Sequence, residues 1–211
     1  MRTDVLFWNV DTQVDFMEPD GKLYAPGAET IKPVLKKLTD FAASHNIRVV
    51  NTADFHYKGS AELSANPDFI HTFPEHCMAN TAGAEYVAET IPQNPLTFDW
   101  EKEYSSLEGV KTAREIVIRK DAFDVFKGNP YTDEIVRLLS PQTVMVYGVT
   151  TNVCVNDAVL GLVKRVKRVY VVEDAIKELP NIPLPFENWK KLGVQMIRFE
   201  QLKELIEKER R

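Results

Sequence analysis

Cys154 stands in the run Thr150-Thr151-Asn152-Val153-Cys154, directly after the apolar stretch Thr143 to Val149 and directly before a second apolar segment. The first stretch reads as a buried strand and the second as a helix, so the thiol falls in a strand-to-helix turn. A thiol in the first turn of a helix feels the positive end of the helix dipole, which favours thiolate over thiol. The same turn supplies free backbone N–H groups able to hold a developing oxyanion. Cys154 is therefore a candidate nucleophile, set against the common fate of a free cysteine as inert core filling. The side chains that end the other strands decide between the two.

In an open parallel sheet, ligands bind outside the carboxyl ends of the strands. The first strand-like run ends at Asp11, within Asp11-Thr12-Gln13-Val14-Asp15-Phe16. The second leads to Asp54, followed by Phe55-His56, and the third ends at Lys120. A carboxylate, a carboxylate with an imidazole, an ammonium and a thiol are thereby delivered to one edge. Asp11 could take the thiol proton and Lys120 could favour the thiolate electrostatically. The backbone N–H groups of Thr150 and Cys154 could then hold the oxyanion. His76 lies in Phe73-Pro74-Glu75-His76-Cys77. With Asp54 and His56 it makes a set suited to zinc or iron(II), with positions left open for water or substrate. Of the other candidates, His45 reads as a helix end, His71 as a loop residue and Cys77 as packing.

The elements that must position these groups follow from the hydrophobic pattern. Strands are expected at Val5 to Val10, Ile47 to Thr52, Glu115 to Arg119, Thr143 to Val149, Val169 to Val172 and Gln195 to Ile197. Helices are expected at Ile31 to Ser44, near Leu107 to Ala113, and at Thr132 to Leu139, Asn152 to Val166 and Phe199 to Arg211. Their alternation indicates an α/β fold with a parallel sheet and right-handed crossovers. Asn66 to Pro95, with Pro67, Pro74, Pro92 and Pro95, has little periodicity. So long a connection in a compact α/β domain usually walls or covers a site. The Pro180-Asn181-Ile182-Pro183-Leu184-Pro185 stretch reads as a surface loop and says nothing about chemistry.

A length of 211 residues suits one domain, 1–211, with a sizeable core, and 44% hydrophobic with 27% charged residues is ordinary for a soluble protein. The net charge of −5 argues against nucleic acid as a partner, and the cluster Lys164-Arg165-Val166-Lys167-Arg168 reads as a solvated helix end. Two cysteines, Cys77 and Cys154, imply no disulfide framework. The first strand is not preceded by the basic start and apolar core of a signal peptide, and no run reaches the length needed to span a bilayer. The expectation is a soluble cytoplasmic protein with no membrane partner.

Taken together, these blocks resemble the nicotinamidase/pyrazinamidase branch of the isochorismatase-like cysteine hydrolases. The resemblance runs from about Val5 to Ala175. It is carried in order by Asp11-Thr12-Gln13-Val14-Asp15-Phe16, Asp54-Phe55-His56, Phe73-Pro74-Glu75-His76-Cys77 with Thr81-Ala82-Gly83-Ala84-Glu85, Lys120, Gly148-Val149-Thr150-Thr151-Asn152-Val153-Cys154-Val155 and Val171-Val172-Glu173-Asp174-Ala175. It implies a Rossmann-like three-layer fold with a mostly parallel, about six-stranded sheet. It also implies a triad of Asp11, Lys120 and Cys154, and a cis peptide before Thr150. A divalent ion would sit on Asp54, His56 and His76, zinc first, with iron or manganese as alternatives. Phe16 matches a position that packs on the substrate ring. The implied reaction is hydrolysis of nicotinamide, or pyrazinamide, through a cysteine thioester, in a homo-oligomer. Two departures bear on the substrate and the metal: Glu62, or else Asp68, stands where a further metal-site histidine is common, and Phe73 stands where a Trp is frequent. The turn before Cys154 is also similar to members acting on ureido or carbamoyl amides.

Overall fold

The computed structural model describes residues 5–209. Its sheet is built from β1 (Val5–Val10), β2 (Arg48–Asp54), β3 (Leu96–Phe98), β4 (Glu115–Lys120), β5 (Thr143–Val149), β6 (Arg168–Lys177) and β7 (Gln195–Ile197). The strand order is β3-β4-β2-β1-β5-β6-β7, and every neighbouring pair is parallel. The helices are α1 (Val14–Met17), α2 (Lys32–Ser44), α3 (Val125–Gly128), α4 (Thr132–Leu139), α5 (Cys154–Leu162), α6 (Phe186–Lys191) and α7 (Phe199–Glu209). The last two residues of the expected closing helix, 210 and 211, lie outside the described residues.

Parallel strands need covering on both faces, and successive residues of β1 show how that is met. Phe7 points into one core with Tyr147 of β5, Leu35 and Leu38 of α2, and Leu202 and Ile206 of α7. Leu6 and Trp8 point into the other core, with Ile118 of β4, Ile135 of α4, Val155 and Val159 of α5, and Trp189 of α6. Each such side chain contributes about 1.5–3 kcal/mol by leaving water, and the two layers cover both faces of the sheet. Among the described residues no helix is long and apolar enough to cross a membrane.

The expected α/β parallel sheet is present with a seventh strand, β3. Three residues are too few to show an alternating pattern, and β3 is held by its register with β4, Leu96 beside Ile116 and Phe98 beside Ile118. The expected helix near Leu107 to Ala113 is a single 3-10 turn, Glu108–Lys111. The buried helix begins at Cys154 rather than Asn152, because the N–H groups of Val153 and Val155 both fold onto the carbonyl of Thr150, at 3.1 Å each. It ends at Leu162, four residues short of Val166. Nearby Arg165 donates to the carbonyl of Gly161 at 2.7 Å, so part of the basic cluster caps this helix end. Strand β6 runs to Lys177, beyond the apolar stretch, by shifting its register against β5 between Val146 and Gly148.

The chain runs outward from β1 through β2 to β4, then returns to β5 on the other side of β1. That reversal makes the carboxyl ends of the central strands the crevice where a ligand fits. The Asn66 to Pro95 region contributes only a 3-10 turn, Ala82–Ala84, and bridges such as His56 with Met78 and Leu63 with Phe73.

Candidate active site and metal centre

Four adjacent strands, β4, β2, β1 and β5, bring Lys120, Asp54, Asp11 and the Cys154 turn to one edge. Gly148 makes the close approach of β1 and β5 possible. Its φ is 117°, and a Cβ there would stand 2.1 Å from the carbonyl oxygen of Val10. The following peptide, Val149–Thr150, is cis, as the resemblance implies.

Lys120 is fully buried and organises the charges. Its Nζ contacts Asp54 Oδ1, lies 3.0 Å from Asp11 Oδ2 and reaches Cys154 Sγ at 3.7 Å. Burial disfavours its ammonium, but Asp11 and Asp54 outweigh burial and hold it protonated well above its ordinary range. Burial also opposes the Asp54 carboxylate. The charge of Lys120 and the two imidazoles nevertheless keep it ionised, well below the usual carboxylate range. Asp11 moves the other way, raised by burial and by the Asp54 charge against the pull of Lys120. Its Oδ1 accepts from Thr52 Oγ1 at 2.5 Å, while Oδ2 has no aligned hydrogen bond among the described residues. A carboxylate with a raised proton affinity and a free lone pair is suited to act as a base.

Two effects act on the thiol in opposite directions, the dipole of α5 and burial. Cys154 is the first residue of α5 and is buried, and burial pushes its thiol well above the ordinary range, with Lys120 opposing only in part. The helix position was legible in the sequence, but the desolvation that opposes the dipole was not. Ligand atoms of Asp11, Asp54 and Cys154 all lie within 4.8 Å of one another, so the proton has a nearby acceptor in Asp11.

Beside this group, Asp54 Oδ2 stands 3.8 Å from His56 Nε2 and 3.7 Å from His76 Nε2. Asp54 Oδ2 and His56 Nε2 are buried without hydrogen-bond partners among the described residues. His56 Nδ1 lies 2.7 Å from Asp121 Oδ1, and His76 Nδ1 lies 2.8 Å from the Pro74 carbonyl. With each Nδ1 turned to an acceptor, both Nε2 atoms face Asp54. Converging, buried and unpartnered atoms of this type fit a divalent cation. Glu62 and Asp68 are sharply separated. Asp68 is exposed and spends its carboxylate on the N–H groups of Ile70, His71 and Thr72. Glu62 is buried, with Oε1 accepting from Phe123 N at 2.6 Å and Oε2 unpartnered. Burial, reinforced by Asp54, raises Glu62 to about 8.

Phe16 lies with its ring 5.3 Å from that of His76, and Phe73 is 6.4 Å from His76 and 5.5 Å from Phe123. The proline-bearing connection thus walls the site, supplying both His76 and Phe73. Cys77 is buried packing and His71 is exposed.

Several contributors were not evident from the sequence. Gln13 clamps Asp54 by donating Nε2 to its carbonyl and accepting its N–H at Oε1, both at 2.8 Å. Asn152 ties the Cys154 turn to the 179–182 loop, donating to the carbonyls of Leu179 and Ile182 at 2.8 and 2.9 Å and accepting from Leu179 N at 3.0 Å. From the sequence, that loop was legible only as a surface loop. Asp121, next to Lys120 in the chain, could have been noticed as a second charged residue at a strand end.

An isochorismatase domain model matches residues 5–182. The chain is 34% identical over 77 residues to the nicotinamidase/pyrazinamidase of Mycobacterium tuberculosis, a stretch covering 36% of this chain and 40% of that protein. It superposes on the pyrazinamidase of Pyrococcus horikoshii in complex with zinc with a TM-score of 0.72 at 25% identity, over 93% of this chain and 99% of the other. The N-carbamoylsarcosine amidase of Thermoplasma acidophilum shares the fold with a TM-score of 0.70 at 22% identity, over 92% and 95% of the two chains. With a family model covering most of its length and its fold shared by these amidases, this chain belongs to the isochorismatase domain family.

Proposed function

We propose that the protein is a metal-containing cysteine amidohydrolase that converts nicotinamide and water to nicotinate and ammonia. The observation that carries this is the position of Lys120, touching Asp11 and Cys154 on one side and the metal-type carboxylate Asp54 on the other. Asp11 takes the Cys154 proton as Sγ attacks the amide carbon, and the N–H groups of Thr150 and Cys154 hold the resulting oxyanion. Asp11 returns the proton to the departing nitrogen, and ammonia leaves a thioester. Water, losing a proton to Asp11, attacks the thioester, and collapse releases the carboxylic acid and the thiol. Lys120 keeps the two carboxylates from repelling each other throughout. Asp54, His56 and His76, with Glu62 as a candidate further ligand, would hold zinc, or iron or manganese. When bound, the cation supplies a Lewis-acid site for a ring nitrogen.

A carbamoyl amide is the second reading, favoured by the fold shared with N-carbamoylsarcosine amidase. Two features support the neutral ring amide instead. Phe16, Phe73 and Phe123 form an aromatic wall around His76. The cations at the end of β4 are also already committed, Lys120 to its carboxylates and Arg119 to Asp99 and the face of Phe55. Ammonia release from nicotinamide, pyrazinamide and N-carbamoyl compounds by wild type and Cys154→Ala provides the test. Release from nicotinamide by wild type, with none from a folded Cys154→Ala, is expected. Full activity in the variant would overturn the cysteine mechanism, and release from carbamoyl compounds alone would move the substrate.

A further inference from the structure

The two imidazoles of the metal centre are not backed alike. His76 Nδ1 faces a neutral backbone carbonyl, that of Pro74, at 2.8 Å. His56 Nδ1 faces a carboxylate oxygen, Asp121 Oδ1, at 2.7 Å. A negative charge on the far side of the ring makes Nε2 a stronger electron-pair donor than a neutral acceptor does, and it fixes both tautomer and ring orientation. Resting on the metal-site reading above, we infer that Asp121 is a positioning residue for the metal, setting the donor strength of His56.

Three further contacts hold Asp121 in that role. Ser60 Oγ donates to the same Oδ1 at 2.5 Å, and Ser60 Oγ in turn accepts from Tyr57 N at 3.1 Å. The backbone N–H of Asp121 is anchored to the carbonyl of Gly128 at 3.2 Å. Asp121 is thus braced from the 57–60 turn and from α3. It follows Lys120 directly, and Phe55 N donates to the Lys120 carbonyl at 2.9 Å, lacing β4 to the chain between Asp54 and His56. Triad and metal centre share one short backbone segment, yet Asp121 acts on the second and not on the first.

Asp121→Asn separates charge from shape, since an amide oxygen can still accept from His56 Nδ1. Zinc affinity should be measured at fixed pH by competition with a chromogenic chelator, for wild type, Asp121→Asn, Asp121→Ala and Ser60→Ala. Asp121→Asn should bind zinc about tenfold more weakly and Asp121→Ala up to about 100-fold more weakly, the range found when partners of ligating histidines are removed. Ser60→Ala should fall between wild type and Asp121→Asn. The rate of Cys154 alkylation by iodoacetamide in metal-free Asp121→Asn should match wild type, which a general collapse of the site would not allow. Zinc binding by Asp121→Asn within twofold of wild type would overturn the inference and leave the metal site standing. Failure of wild type itself to take up zinc would remove both.

Discussion

At the scale of single residues, the site places groups of opposite charge in one desolvated space and lets burial choose their protonation. Lys120 and Asp54 stay charged because each stabilises the other, whereas Cys154 and Asp11, with weaker compensation, shift toward their neutral forms. His56 adds a measurable consequence. Burial lowers its proton affinity, but the hydrogen bond to Asp121 and the nearby Asp54 carboxylate outweigh burial and raise it to about 9. A cation needs the neutral ring, so below pH 9 each unit of acidification should weaken zinc binding by about tenfold, which competition titrations between pH 6 and 9 would show. The metal-free protein should follow the opposite trend. Its folded His56 binds a proton more tightly than the unfolded chain does, so the contribution is complete below about pH 6.5 and lost as pH rises through 9. Urea midpoints of metal-free protein at pH 6 and pH 9 should therefore decline, and a rise would contradict the assignment of charge to His56.

At the scale of elements, the carboxyl edge depends on how closely β1 and β5 approach. Gly148 is required there by both its backbone conformation and the 2.1 Å that a Cβ would leave to Val10 O. Gly148→Ala should cost more than about 1 kcal/mol and lower kcat, since parting these strands moves Asp11 from Cys154. Urea denaturation with an unchanged m-value, alongside steady-state rates, would check both effects. The same edge explains what could be read from the sequence. Asp11, Asp54 and Lys120 were legible because a parallel sheet gathers whatever its strands end on, and the apolar runs mark those ends. β3 was not legible, because Leu96 to Phe98 is too short for a pattern. The full length of β6 was hidden by Glu173 and Asp174, which interrupt its apolar run. The pairing of Asp121 with His56 was hidden for a different reason, since the two are 65 positions apart and only the pairing of β2 with β4 brings them together.

At the scale of the whole molecule, the cores and the candidate site are neighbouring regions that meet at Cys154. The two cores lie on the faces of the sheet, and the charged groups Asp11, Asp54 and Lys120 lie at its carboxyl edge. Leu202 of α7 is fully buried in the core shared with Phe7 and Phe41. Leu202→Ala should cost about 2–5 kcal/mol through lost burial and the cavity left behind. A lowered thermal midpoint with an unchanged kcat at 25 °C is the expected result. The clasp between Asn152 and the carbonyls of Leu179 and Ile182 ties the Cys154 turn to a surface loop. It divides that loop into two stretches for anyone splicing foreign sequence into the chain. Beyond the clasp, at exposed Leu184, an inserted peptide should be carried as harmless cargo. Only a few residues earlier, at Asn181, the same insertion would pry open the clasp and silence the enzyme without unfolding it.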